Sequence, residues 1–314
     1  SILAYDLAYT AVSCADFDDA VPGYQIEVRY LGSVPSPSRQ QTFEDAAARW
    51  AELVVGDIAD EVVLEPFAPS CFTTELQPMV EQLDDLVIFA QVTPIDGQGG
   101  ILGSAGPCFI RTETGFPLVG LMSFDSDDVT ALENNGAFDV VILHEMGHVI
   151  GFGTVWDYLS LLQDPTSPDP ATINDTHFLG TAALAAFNAI GGAAYPDAKV
   201  PVENDNTTYG PGSLNGHWRE GVFDNELMSP ALDSPVDPIS EVTVESLGDM
   251  GYTVDPGAAD PYTLFWTAPP LVAEGQGMKL HFGDDILRGP MMFPDGDGGL
   301  RPLGESSDPM DKDN

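Results

Sequence analysis

His144, Glu145 and His148 stand as His-Glu-x-x-His within "VILHEMGHVIGFGTVW", from Val141 to Trp156. On a helix, residues four apart share a face, so both imidazoles can reach one metal ion. A glutamate beside the first histidine is placed to take a proton from water at that ion. A catalytic zinc site ordinarily has three protein ligands and one open position. The pair therefore demands a partner from elsewhere in the chain. Thr154, three residues past Gly151, is not a competent zinc ligand.

The elements that must position these residues are legible in outline. "YQIEVRYL" (Tyr24 to Leu31) alternates and is rich in β-formers, which predicts a first strand. A helix is expected from Ser38, with a capping box to Gln41. Phe43, Ala46, Ala47, Trp50, Leu53 and Val54 recur at helical spacing, and Gly56 is its stop. "EVVLEP" and "DLVIFAQV" read as the second and third strands, an order that implies a right-handed crossover and a mixed sheet. "GGILGSAGPC" (Gly99 to Cys108) is glycine-rich around a short apolar strand, and "PLVGLMSFD" is a further strand. The histidine-bearing helix is expected from about Ala137 to Ile150, with Gly151 and Gly153 letting the chain leave it sharply.

A polar stretch rich in Pro, Asp and Asn follows from Trp156 to Gly216, with one alanine-rich helix from about Leu179 to Ile190. "DPISEVTVESLGDMGY" predicts a late helix that buries Ile239, Val242, Leu247 and Met250 and stops at Gly251. Beyond Asp255 the chain is rich in Pro, Gly and Asp, with strand-like "YTLFW" and "MKLHF". The fold class is α+β.

Candidates for the third ligand are few, because the chain has only five histidines. Asp157 lies close to the helix end, His177 precedes the alanine-rich helix, and His281 sits in the tail. His217 lies in "GHWRE", and eleven residues later Met228 stands in "NELMSP", a sequence suited to a tight turn. Most lone histidines are exposed or satisfied in a core, and most methionines are plain core. The order His-Glu-x-x-His-x-x-Gly, then His217, then Met228, then a helix is more specific than any one of them.

On those residues the chain resembles the leishmanolysin family, metzincin proteases with a long insertion between the glycine and the third zinc histidine. The matching pieces are "HEMGHVIGFG", His217–Trp218, Glu226–Met228 and the helix ending "LGDMGY". "GGILGSAGPC" and "FEDAAARWAELVVGD" look like secreted bacterial relatives. The resemblance spans about Tyr24 to Tyr262. It implies a twisted, mixed five-stranded sheet with the active-site helix over a mostly irregular lower subdomain. It implies His144, His148 and His217 as zinc ligands, Glu145 as the base that activates zinc-bound water, and Met228 in a Met-turn beneath the metal. It also implies that Gly100, Ile101, Leu102, Gly103, Ser104 and Ala105 form an edge strand that pairs with extended substrate; an ordinary glycine-kinked strand is the alternative. The expected division is an N-terminal segment 1–23, an upper subdomain 24–152, a lower subdomain 153–255 and a C-terminal extension 256–314. The chain departs from the family in being shorter and poor in cysteine, so the family's disulfide framework does not carry over.

Charge narrows the partners. Fifty Asp and Glu against ten Lys and Arg give a net charge of -40. Such a surface repels nucleic acid and anionic membranes and strains the compact state, which salt or bound cations relieve. "DFDD" (Asp16 to Asp19), "DSDD" (Asp125 to Asp128) and "DGDGG" (Asp295 to Gly299) are places to look for calcium beside zinc, though none fits an EF-hand. No apolar stretch is long enough for a membrane span. The start at Ser1 without a signal peptide reads as a processed, secreted, extracellular fragment, expected to be monomeric. Among Cys14, Cys71 and Cys108, the expected pair is Cys71–Cys108, on loops that flank "LDDLVIFAQV"; three buried thiols are the alternative. The expected function is a zinc endopeptidase acting on peptides and proteins. The alternatives are an inactive, acidic binding protein on the same fold and a zinc hydrolase of non-peptide amides. An intact Glu145 argues against the first.

Overall fold

The computed structural model describes residues 23–67, 70–71, 74–75, 79–169, 172–196, 199–232, 236–264, 280–288, 291–294 and 300–302. Cys14 and the acidic runs at 16–19 and 295–299 lie outside them, as does all of "YTLFW" beyond Leu264.

The chain runs from β1 (Ile26–Tyr30) into α1 (Pro37–Leu53). This helix starts one residue before the expected Ser38. Ser36 is the N-cap, accepting a hydrogen bond from Arg39 N, and Pro37 takes the first turn, where its missing N–H costs nothing. Next comes β2 (Glu61–Phe67), then a small pair, β3 (Ser70–Cys71) with β4 (Thr74–Glu75), then β5 (Met79–Leu83). β2 pairs antiparallel with β5, so "EVVLEP" closes a hairpin of its own and does not enter the main sheet as expected. The crossover from β1 instead reaches β6 (Leu86–Thr93), its parallel neighbour. β7 (Gly103–Ile110) and β8 (Pro117–Asp125) follow; β8 is parallel to β6, and β7 is antiparallel to β8.

After α2 (Val129–Asn135) comes α3 (Phe138–Ile150), the histidine helix. It starts one residue past the expected Ala137 and ends on Gly151, whose φ of 117° is the left-handed cap. Beyond it the structure is largely irregular. β9 (Leu162–Gln163), β10 (His177–Phe178) and β11 (Val200–Pro201) make a minimal antiparallel sheet. α4 (Thr181–Ala189) starts on a carboxylate, since Asp249 accepts from Ala182 N and Ala183 N. α5 (Glu220–Phe223), β12 (Ala231–Leu232) and α6 (Glu241–Met250) follow, the last burying Val242, Leu247 and Met250 as its spacing predicts.

The C-terminal residues then return to the body. β13 (Leu280–His281) pairs with β12, while β14 (Met292–Pro294) pairs with β15 (Leu300–Pro302) and runs beside β7. The main sheet therefore has six strands, ordered β1-β6-β8-β7-β14-β15, where five were expected. The difference arises because "EVVLEP" is lost to its own hairpin and the tail adds two strands.

Alternation along β6 divides the core. Leu86, Ile88 and Ala90 face α1 and α3, with Phe43, Trp50, Phe124, Phe138 and Met146. Val87 and Phe89 face the other way, onto Leu83, Phe109, Leu118 and the cystine Cys71–Cys108. The Cα atoms of that cystine are 5.4 Å apart, within the usual span. Among the described residues no helix is long and apolar enough to cross a membrane.

Candidate metal centre

α3 holds His144 and His148 one turn apart, and both rings are fully buried. His217 reaches the same point from the irregular region, also fully buried. The three Nε2 atoms lie 3.1 Å (His144–His148), 3.0 Å (His148–His217) and 3.3 Å (His144–His217) apart. Each Nδ1 faces a backbone carbonyl: Leu227 O for His144, Phe152 O for His148 and Ser213 O for His217. A carbonyl only accepts, so each Nδ1 carries the proton and each Nε2 is left with a bare lone pair.

Neutral rings in this arrangement aim three acceptors at one another with no proton between them. Asp285 adds a fourth. Its Oδ2 lies 3.0 Å from His217 Nε2, 3.3 Å from His144 Nε2 and 3.9 Å from His148 Nε2. Such a set is stable only around a cation, and imidazoles oriented by carbonyls with one carboxylate suit zinc. The orphaned oxygens agree: Asp285 Oδ1 and both oxygens of Glu145 are buried without a hydrogen-bond partner.

Electrostatics follow from burial. Desolvation drives the imidazoles of His144 and His148 below the usual histidine range, which keeps them neutral as ligands must be. Glu145 goes the opposite way, raised well above the usual range by burial and then by the charge on Asp285.

The surroundings are packed closely. A Cβ at Gly103 would come within 2.9 Å of Glu145 Oε1, so the strand passes directly over that carboxylate. A Cβ at Gly147 would meet Met228 Cε and Sδ at 2.9 Å, which seats Met228 against the underside of α3. Glu226 organises the turn around it. Its carboxylate accepts from Met228 N, Ser240 N, Ser240 Oγ and Thr243 Oγ1. Trp218, next to His217, gives its backbone N–H to Met228 O and its indole N–H to Thr243 Oγ1. The two ends of the long excursion between the glycine and His217 also touch: Gly153 has φ +74°, and a Cβ there would sit 2.1 Å from Gly216 O.

The structure thus brings together His144, Glu145, His148, His217 and Met228. It leaves aside Asp157, which is exposed, and His177 and His281, which lie in β10 and β13. Of the expected substrate strand, Gly103, Ser104 and Ala105 belong to β7, whereas Gly100, Ile101 and Leu102 precede it in the loop. Nor is β7 an open edge, since residues 285–287 and β14 lie along its outer side. Asp125 is a loop organiser, accepting from Ile95, Asp96, Gly97 and Asp127 N–H groups, and calcium gains no support from it. Asp57, Asp84 and Asp85 form a second carboxylate group outside the centre.

Asp285 was invisible to sequence reasoning. It is one acid among fifty, in a tail segment, with no periodic relation to the histidines. Its flanks, "FGDDILR", offer only the weak hint of two acids between residues that are themselves buried, Phe282 and Ile286.

A buried cluster of three carbonyl-oriented histidines beside an unpartnered glutamate on a His-Glu-x-x-His helix is a metallopeptidase type of centre. The sequence profile of the family described as leishmanolysin matches residues 68–270, about two thirds of the chain, and the chain belongs to that family of metallopeptidases. None of the curated proteins compared with it matches.

Proposed function

We propose that the protein is a secreted zinc endopeptidase in which His144, His148 and His217 hold the metal and Glu145 is the general base. The convergence of three Nε2 lone pairs within 3.3 Å, each fixed by a carbonyl on Nδ1, carries this reading. Zinc, when bound, supplies a Lewis acid that polarises the scissile carbonyl and acidifies water. Glu145 accepts the proton of the attacking water at a carboxylate oxygen and passes it to the departing amine nitrogen. Its lack of any protein hydrogen bond leaves both oxygens free for that exchange. The backbone N–H and C=O of Ala105, on the outer side of β7, are the groups that an extended peptide would take up in place of residues 285–287, giving affinity that tolerates many sequences. Met228 supports α3 from below in a metzincin-type turn. The acidic surface suits an extracellular or saline setting.

The test is Glu145→Gln, assayed against a peptide library alongside zinc content. One equivalent of zinc is expected in both proteins, with hydrolysis down by about 10²–10⁴-fold in the variant. Undiminished cleavage rejects Glu145 as the base, and wild type without zinc rejects the metal assignment. A wild type that holds zinc, binds a hydroxamate probe and still cleaves nothing favours the acidic binding-protein alternative.

A further inference from the structure

The residues from Leu280 to Arg288 lie across the centre and are strapped down on both sides. On the lower side, β13 pairs with β12, Phe282 N donates to Pro230 O, and Ser213 Oγ donates to Gly283 O. Arg288 Nη2 donates to Gly212 O and Leu214 O. On the upper side, Ala105 N donates to Asp285 O at 2.7 Å and Leu287 N donates to Ala105 O at 2.8 Å, a parallel bridge onto β7. In the middle, the Phe282 ring stacks on the His144 imidazole at 3.7 Å and 7°, and the Asp285 carboxylate enters the histidine cluster. The segment occupies both things a peptidase must offer its substrate, the backbone groups of β7 and the coordination position beside Glu145.

We infer that residues 280–288 are a built-in occupant of the cleft, with Asp285 as the fourth metal ligand and the Asp285–Leu287 backbone in the substrate's place, so that the chain is latent until this strap is displaced. The inference rests on the metal reading above. Asp285 lies outside the residues that the family profile matches. The strap's hold combines a ligand bond with strand pairing, so displacement by a competing peptide, or removal after a cut in the chain, frees both at once.

The experiment uses the full chain, stripped of metal and reloaded with Co(II), with a tripeptide hydroxamate as cleft probe. Three variants are compared with wild type. Asp285→Ala removes the ligand, Asp285→Asn keeps the shape with a poorer ligand, and Leu287→Pro removes the N–H given to Ala105 while leaving Asp285 in place. Visible absorption of the bound cobalt reads the ligand set, and calorimetry reads probe affinity. Wild type is expected to take one cobalt, with a spectrum that changes in both Asp285 variants. All three variants should bind the probe more tightly, by about a hundredfold for Asp285→Ala if the strap is closed roughly 99% of the time. A cobalt spectrum identical in wild type and Asp285→Ala overturns the ligand assignment. A changed spectrum without any gain in probe affinity makes Asp285 a permanent ligand and overturns latency. Wild type that binds no cobalt overturns the metal reading itself, a separate outcome.

Discussion

The two walls of the centre are built by different means. The upper wall is α3 over the sheet, where backbone groups satisfy one another and the four-residue period alone sets His144 beside His148. The lower wall, from Ser213 to Leu232, has only a four-residue helix and a two-residue strand. Buried carboxylates do there what secondary structure does above. Glu226 takes four donors, and Glu203 takes the N–H groups of Asn204, Asp205 and Glu220. An irregular segment can thus be as exact as a helix, provided that each unpaired amide meets a side-chain acceptor.

The sharpest way to break this contrast is to remove the acceptor. Glu226→Ala strands several buried donors, each worth about 1–3 kcal/mol, so a loss of at least about 4 kcal/mol in urea unfolding is expected. Asp139→Ala, at the solvent-facing start of α3, should cost under about 1 kcal/mol. Equal losses would mean that the lower wall owes little to its carboxylate. Next in size, His217→Ala should weaken zinc binding by more than about a hundredfold, since even outer hydrogen-bond partners of a ligand are worth 10–100-fold. Unchanged zinc content in dialysed protein would place the third ligand elsewhere.

Gly153→Ala comes next. It puts a Cβ into Gly216 O and a side chain at positive φ, for a loss of about 1–3 kcal/mol; a neutral result in thermal unfolding would show that the two walls are free to part there. The smallest effect belongs to the acids just before β6. Desolvation, reinforced by their acidic neighbours, pushes Asp84 and Asp85 each up to about 6. These folded values exceed the unfolded carboxylate value of about 3.9, so the stability they confer is full below that value and is lost as pH rises through about 6. Denaturant midpoints at pH 4.5 and 6.5 should show a fall in wild type that Asp84→Asn makes shallower. An identical slope in the variant would remove Asp84 from the account.

The contrast also explains what could be read from sequence. α3, its first two histidines and Glu145 follow from one local period, and α6 from another. His217 came from an ordered pattern of landmarks across a long gap, which only a resemblance could supply. Strand pairing was less legible. Each strand shows its own alternation but not its partner, which is why β2 was assigned to the main sheet and the tail strands were not. Asp285 marks the limit. Its importance lies in what folds around it, and no spacing in the chain distinguishes it from the other acids.

The contact of Gly153 with Gly216 has a further consequence. The long excursion between the second and third histidines leaves the scaffold and rejoins it at nearly the same spot, so one contact fixes the distance between its ends. Its interior is anchored as well: Trp156, Phe178 and Phe187 lie in the core, and Asp249 of α6 holds the start of α4. Room for change is left in its exposed turns, such as Gln163 to Pro165 and Ser167 to Asp169. Closing a loop ten times longer there costs only about 2 kcal/mol more, so those turns are where new recognition surfaces can be grafted while the centre keeps its geometry.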